Sequence, residues 1–116
     1  MKNYTCIYYT NSSGKALVKE LITSLDEDTQ DAFFYKTGLL EEYGPRLRKP
    51  HTDNIGNSIF ELRFVGKEGQ IRVLFFFFDD QKIIFTNGFV KKTQKTPSSK
   101  IKLAEKRRKE YLQRRR

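Results

Sequence analysis

Apolar residues recur along this chain at two different intervals, and the interval changes mark its elements. Residues 4–10, rich in Tyr, Thr and Ile and bounded by Asn and Ser, read as a strand, and Asn11 to Gly14 supplies turn chemistry. From Lys15 the apolar positions Val18, Leu21, Ile22 and Leu25 fall three and four apart, so they share one side of a helix that ends near Ser24. Ser24 and Asp26 are both good caps for a second helix over about 27–43, Ser24 with Glu27 fitting a capping box, and its acidic opening turn suits the helix dipole. Ala32, Phe33, Lys36, Leu40 and Tyr43 share a side of it, and Gly44-Pro45 stops it. Almost no linker separates the two, which predicts a helical hairpin.

Residues 46–57 lack periodicity and contain Pro50 and Gly56, so they are expected to form an irregular loop. Three strand-like segments follow at 58–65, 70–78 and 82–90. Their connectors, 66–69 and 79–81, are short enough only for hairpins, which predicts an antiparallel meander. Phe75, Phe76, Phe77 and Phe78 place rings on both sides of the middle strand, as in the centre of a sheet covered on both faces. Thr96 as cap and Pro97 at the first helical position then open a last helix over about 97–114. Its narrow apolar seam is Ile101, Ala104, Arg108, Tyr111 and Leu112. The expected fold class is α+β, in the order β-α-α-β-β-β-α, with an antiparallel sheet packed against helices in one domain spanning 1–116.

Charge changes the picture at one point. The chain carries +9, and residues 91–116 hold 12 Lys and Arg against 2 Glu, so the whole excess follows the third strand of the meander. A nearly neutral body with Lys91, Lys92 and Lys95 at a strand end presents cations to a polyanion. With 37% apolar residues the chain is expected to bury a core without disulfides. The single Cys6 reads as a small buried apolar residue, and the lone His51 leaves no zinc constellation. The N-terminus lacks the pattern of a signal peptide and the longest apolar run, 73–78, is too short for a bilayer span. A cytoplasmic protein without cofactor or membrane attachment is expected.

Hairpin geometry sharpens the site. Closing the first turn about Lys67 and Glu68 sets Arg63 opposite Arg72, and closing the second with Phe78 beside Lys82 sets Arg72 opposite Gly88. Glu61 shares the face of Arg63. Facing arginines are destabilising unless an anion lies between them, and a glycine beside them leaves room for a ligand. One reading is therefore an anion site on the sheet; the other is that the arginines splay into solvent or pair with Glu61 and Glu68. His51, near Arg46, Arg48 and Lys49, is either a general acid or base or a solvated loop residue. The basic run of the last helix, with Lys106, Arg107, Arg108, Lys109, Arg114 and Arg115, reads as a contact for nucleic acid.

The segments Phe60-Glu61-Leu62-Arg63-Phe64, Gln70-Ile71-Arg72-Val73-Leu74 and the run 87–97 (NGFVKKTQKTP), followed by a helix with Ala104, Arg107 and Tyr111, resemble the phage-derived HigB branch of the RelE/HigB toxins, within the RelE/ParE superfamily. The match is expected over about 59–111. The resemblance implies the toxin of a type II toxin-antitoxin system, a ribosome-dependent mRNA endonuclease that works in the A site without metal. It also implies a helix-turn-helix, HigA-like antitoxin, in a complex such as a heterotetramer. By position the family's basic active-site residues match Arg63, Arg72 and Lys92, with Lys91 and Lys95 as neighbours. Some relatives carry a late tyrosine or histidine where this chain has Ser98-Ser99.

Attack by a ribose 2′-hydroxyl needs a base, cations for the charge growing on phosphate, and an acid for the leaving oxygen. Arg63 and Arg72 are candidate clamps, Lys91 and Lys92 candidate proton-transfer groups, and Glu61 a second candidate base. Lys95 and the helix cations are candidate RNA contacts. Two rivals remain: a ParE-like gyrase inhibitor, and a module that binds RNA without cutting it.

Overall fold

Each apolar stripe forms an element in the computed structural model, which describes residues 3–92 and 94–115. Thr93, within the family-like run, and Arg116, at the end of the basic run, lie outside the described residues. The elements are β1 (Thr5–Tyr8), α1 (Leu17–Thr23), α2 (Glu27–Tyr43), a 3-10 turn (Gly44–Arg46), β2 (Thr52–Gly56), β3 (Ile59–Gly66), β4 (Gly69–Phe78), β5 (Lys82–Lys91) and α3 (Ser98–Gln113).

The sheet departs from expectation in two ways. It is five-stranded and mixed, in the order β1-β5-β4-β3-β2, with β1 parallel to β5. The expected order also lacked β2, because the segment 46–57 is not wholly irregular. Asn57 and Ser58 adopt positive φ of 57° and 61°, a tight turn that folds Thr52–Gly56 back along β3. Too polar for a hydrophobic pattern to reveal, β2 covers part of the β3 edge.

β4 is the middle strand, and its phenylalanines do face both ways. Phe75 joins Phe33, Phe64, Phe85 and Val18 in a core under α1 and α2, whereas Phe76 joins Tyr9, Ile84, Ala104 and Tyr111 under α3. The sheet is thus the middle layer between the α1–α2 pair and α3. Of the two candidate caps it is Asp26 that caps α2, accepting from the Asp28 N–H at 3.2 Å. Glu68 accepts from the Asp26 N–H at 2.6 Å and the Thr29 hydroxyl at 2.7 Å, which fastens the β3–β4 turn to the start of α2. Pro97 caps α3, and Thr96 is committed elsewhere. Of the expected α3 seam, Ala104 and Tyr111 are buried and Leu112 is exposed.

Register decides the site. Arg63 pairs with Arg72, as expected, and Phe78 pairs with Lys82. A bulge at Thr86 then adds one residue to β5, so Arg72 pairs with Phe89 and Gly88 pairs with Val73. One added residue turns every later side chain to the other face. Gly88 therefore faces α1 instead of a ligand: a Cβ there would lie 2.7 Å from Leu21 Cδ2 and 3.3 Å from Val73 Cγ2. Gly88→Val is expected to cost about 1–3 kcal/mol through overpacking of α1 on the sheet. Urea unfolding checks this, and an unchanged midpoint would deny the close approach.

Candidate functional site

Arg63, Arg72 and Lys91 lie at one end of the α3 face of the sheet, and a carboxylate joins the two arginines. Glu61, 1% exposed, is the centre of the cluster. Its Oε2 accepts from Arg63 Nε at 2.9 Å and stands 3.7 Å from Arg72 Nε, while Oε1 accepts from the Thr96 hydroxyl. Asp53, which pairs with Glu61 across β2 and β3, accepts from Arg63 Nη2 at 2.9 Å. Facing guanidinium groups at adjacent strands are thus held by a shared carboxylate, which answers the repulsion of the pair. Glu68 takes no part, being bound to α2.

The two arginines differ in access. Arg63 is partly exposed, whereas Arg72 is 7% exposed and donates from Nη1 to the Ile71 carbonyl at 3.1 Å and from Nη2 to Gln70 Oε1 at 2.7 Å. Its Nε has no hydrogen-bond partner among the described residues. Burial lowers the affinity of this guanidinium for its proton, with Glu61 opposing and Arg63 adding to the effect. A buried donor without a partner, beside a carboxylate too distant for a hydrogen bond, is left with a hydrogen to donate to an anionic oxygen that reaches it.

The bulge at Thr86 brings Lys91 to this face, opposite Gln70. Lys91 lines two adjoining concavities of about 390 and 310 Å³: the first includes Gln70, Lys92 and Gln94, the second Glu61, Arg63, Lys95 and Thr96. Lys92 and Lys95 are exposed. The two together form a groove past Arg63, with Lys91, Lys92 and Lys95 along it, the carboxylates of Asp53 and Glu61 on one wall, and Arg72 behind Gln70. No group of three or more His, Cys, Asp and Glu side chains suited to a metal ion forms among the described residues.

Residues 20–109 match the family described as Phage derived protein Gp49-like (DUF891). The chain belongs to that Gp49-like family. The family is part of the broad RelE/ParE-like toxin group, and membership points to a toxin of the toxin-antitoxin type with an antitoxin partner. No curated protein matches the sequence. The matched span reaches back beyond the expected 59–111 to Glu20, and it contains the whole arginine and lysine cluster.

In this Gp49-like chain the remaining candidates lie apart from the cluster. The His51 carbonyl accepts from the Arg63 N–H at 2.9 Å, but its Nδ1 lies 2.8 Å from Lys36 Nζ on α2. The imidazole thus braces the edge of β3 against α2. Desolvation, and secondly the Lys36 charge, hold its pKa below the ordinary 6.5. Below pH 6.5 the unfolded chain accordingly takes up a proton that the folded chain resists, so this contribution to stability is present above 6.5 and lost as pH falls. The fall in Tm between pH 7.5 and 5 is expected to be shallower in His51→Gln; parallel profiles would contradict it.

The α3 cations divide. Arg107 donates to the Thr86 carbonyl at 2.7 Å, Arg108 to the Asn57 carbonyl at 2.6 Å and Arg114 to the Thr10 carbonyl at 2.6 Å. Arg107 and Arg114 also lie over the Tyr9 ring, and Arg115 over that of Tyr111. Arg107, Arg108 and Arg114 hold α3 to the sheet and its connections, Arg107 by satisfying the bulge, whereas Arg115 lies on a ring of its own helix. Lys106 and Lys109 are exposed and face outward. Sequence reasoning did not place Asp53, Gln70 or Thr96 in the cluster, since each arrives through the β2 hairpin or a contact across the chain.

Proposed function

We propose that this chain is a ribosome-dependent mRNA endonuclease that cuts translated message in the A site by attack of a ribose 2′-hydroxyl on the adjacent phosphodiester. The observation that supports this reading most is the Arg63–Glu61–Arg72 cluster beside a groove bordered by Lys91. A scissile phosphate in that groove would meet charge already in place, the arrangement that lowers the energy of a pentacovalent phosphorane.

Arg63 presents its guanidinium directly. Arg72 lies behind the groove wall, its Nη2 held by the amide of Gln70, an exposed residue whose place a phosphate oxygen can take. Glu61, buried with both oxygens engaged, is assigned here to positioning the arginines. Lys91 and Lys92 then carry proton transfer: one withdraws the 2′-hydroxyl proton as the oxygen bonds to phosphorus, and a protonated neighbour supplies the departing 5′ oxygen. The products are a 2′,3′-cyclic phosphate and a 5′-hydroxyl, and no metal ion is needed in this scheme. Lys95, Lys106 and Lys109 contact RNA backbone on the ribosome. The antitoxin in this reading is a helix-turn-helix, HigA-like protein, in an assembly such as a heterotetramer.

Primer extension on a transcript after induction of the native protein tests the proposal. Expected are discrete breaks within the translated frame that vanish when the start codon is removed. Intact message accompanied by DNA damage would replace this reading with gyrase poisoning. Intact message on ribosomes that bind the protein would leave an RNA-binding module.

A further inference from the structure

A second concavity, of about 520 Å³, opens along the edge of β3 and lies between α2 and the arginine pair. Its existence follows from the end of β2. Thr52 pairs with Leu62, the next N–H of β3 is taken by the His51 carbonyl, and on that edge β2 does not extend to Val65, which pairs only with Gln70 of β4 among the described strands. Lys36, Arg63 and Arg72 line the opening with Tyr35, Val65 and Gln70, and no carboxylate does.

Two of these residues give the concavity its character. Tyr35 is 64% exposed and stacks on no other ring among the described residues. Lys36 is the single basic residue of α2, a helix that is otherwise acidic. Among the described residues its partner is the imidazole of His51 at 2.8 Å, not a carboxylate, so its positive charge is held in place without being neutralised. An open aromatic ring beside a fixed cation is the arrangement that binds single-stranded nucleic acid, the ring taking a base and the cation a phosphate.

We infer that this concavity is a subsite for one nucleotide of single-stranded RNA, its base on the Tyr35 ring and its phosphate on Lys36, next to the phosphate held by Arg63 and Arg72. The inference rests on the nuclease reading for that last phosphate. The volume lies within the range of small-ligand sites. The concavity shares Gln70 with the groove of Lys91 and Lys92, and Arg63 with that of Lys95 and Thr96. A strand lying across the three would pass continuously from α2 to the start of α3. Base preference at one position of the cut codon then depends on α2, outside the cationic cluster.

The test is fluorescence anisotropy of the full chain with a 2′-O-methyl RNA hexamer, which the proposed reaction cannot cut. Tyr35→Ala is expected to weaken binding roughly tenfold, with Tyr35→Phe close to native. Lys36→Ala is expected to lower the slope of log affinity against log salt by about 0.7, with Lys36→Arg retaining it. Thermal unfolding of each variant separates lost binding from lost fold, and the exposed Tyr35 is expected to change it little. Hexamer affinity unchanged in Tyr35→Ala, or no binding by the native chain, would overturn the subsite. Cleavage of message with unaltered hexamer binding removes the subsite alone. Weakened hexamer binding with message left intact by the native protein supports the subsite and removes the nuclease reading.

Discussion

Cleavage of translated message by Arg72→Ala is expected to be about 10²–10³ times slower than by the native chain, the loss typical of removing one preorganised donor to a developing anion. Arg72 is suited to that effect because its guanidinium is nearly buried, where a charge acts on a neighbouring phosphate with little screening by water. Its geometry is also fixed, by the Ile71 carbonyl and the Gln70 amide. Arg72→Lys is expected to recover little, since an ammonium cannot reproduce the planar fork that addresses two oxygens together. The measurement is a time course of cleavage on ribosomes programmed with a short message, at equal concentrations of folded protein. Urea unfolding of the same samples fixes that concentration, because losing the guanidinium also leaves the buried Glu61 with less compensation. A native cleavage rate in the folded Arg72→Ala protein would remove Arg72 from the clamp and, with it, the main support for the proposed chemistry.

The helices and the meander were legible because each is defined by a strong local period. α2 spans the expected 27–43, and the three meander strands lie within one residue of expectation. The Arg63–Arg72 pairing was legible too, since a turn at Lys67 and Glu68 determines it. What escaped was produced by longer-range geometry. The bulge at Thr86 leaves no trace in the hydrophobic pattern, yet it turns Val90 into the α1–α2 core and brings Phe89 and Lys91 to the arginine face. β2 escaped because an edge strand needs few apolar residues, although Asn57 before Ser58 is a usable sign of a tight turn. The roles of Arg107, Arg108 and Arg114 escaped for a different reason. Counting charge on a helix does not distinguish an arginine in water from one donating to a carbonyl of the sheet. The basic excess of α3 is therefore partly structural, and its outward share includes Lys106 and Lys109.

Glu61→Ala is expected to be the most destabilising substitution at the cluster, by about 3–5 kcal/mol, the range for removing one partner of a buried ion pair. Arg72 would keep its positive charge at 7% exposure with Arg63 directly across the strands, and the Thr96 hydroxyl would lose its acceptor. Glu61→Gln preserves shape and one acceptor, so it is expected to cost less while still leaving the two guanidinium groups without their shared charge. Urea unfolding at neutral pH measures both, and a loss below about 1 kcal/mol for Glu61→Ala would mean that water, rather than the carboxylate, balances the arginines. The same variant also tests whether the cluster suits phosphate. If the native carboxylate occupies a place between guanidinium groups that phosphate can share, inorganic phosphate should raise the Tm of Glu61→Ala more than that of the native chain, through binding to the folded state. Equal shifts in both proteins would show that the carboxylate serves packing of the sheet and α3 alone. A larger shift in the variant, with chloride at matched ionic strength giving none, would identify the arginine pair as an anion site masked by Glu61 at rest.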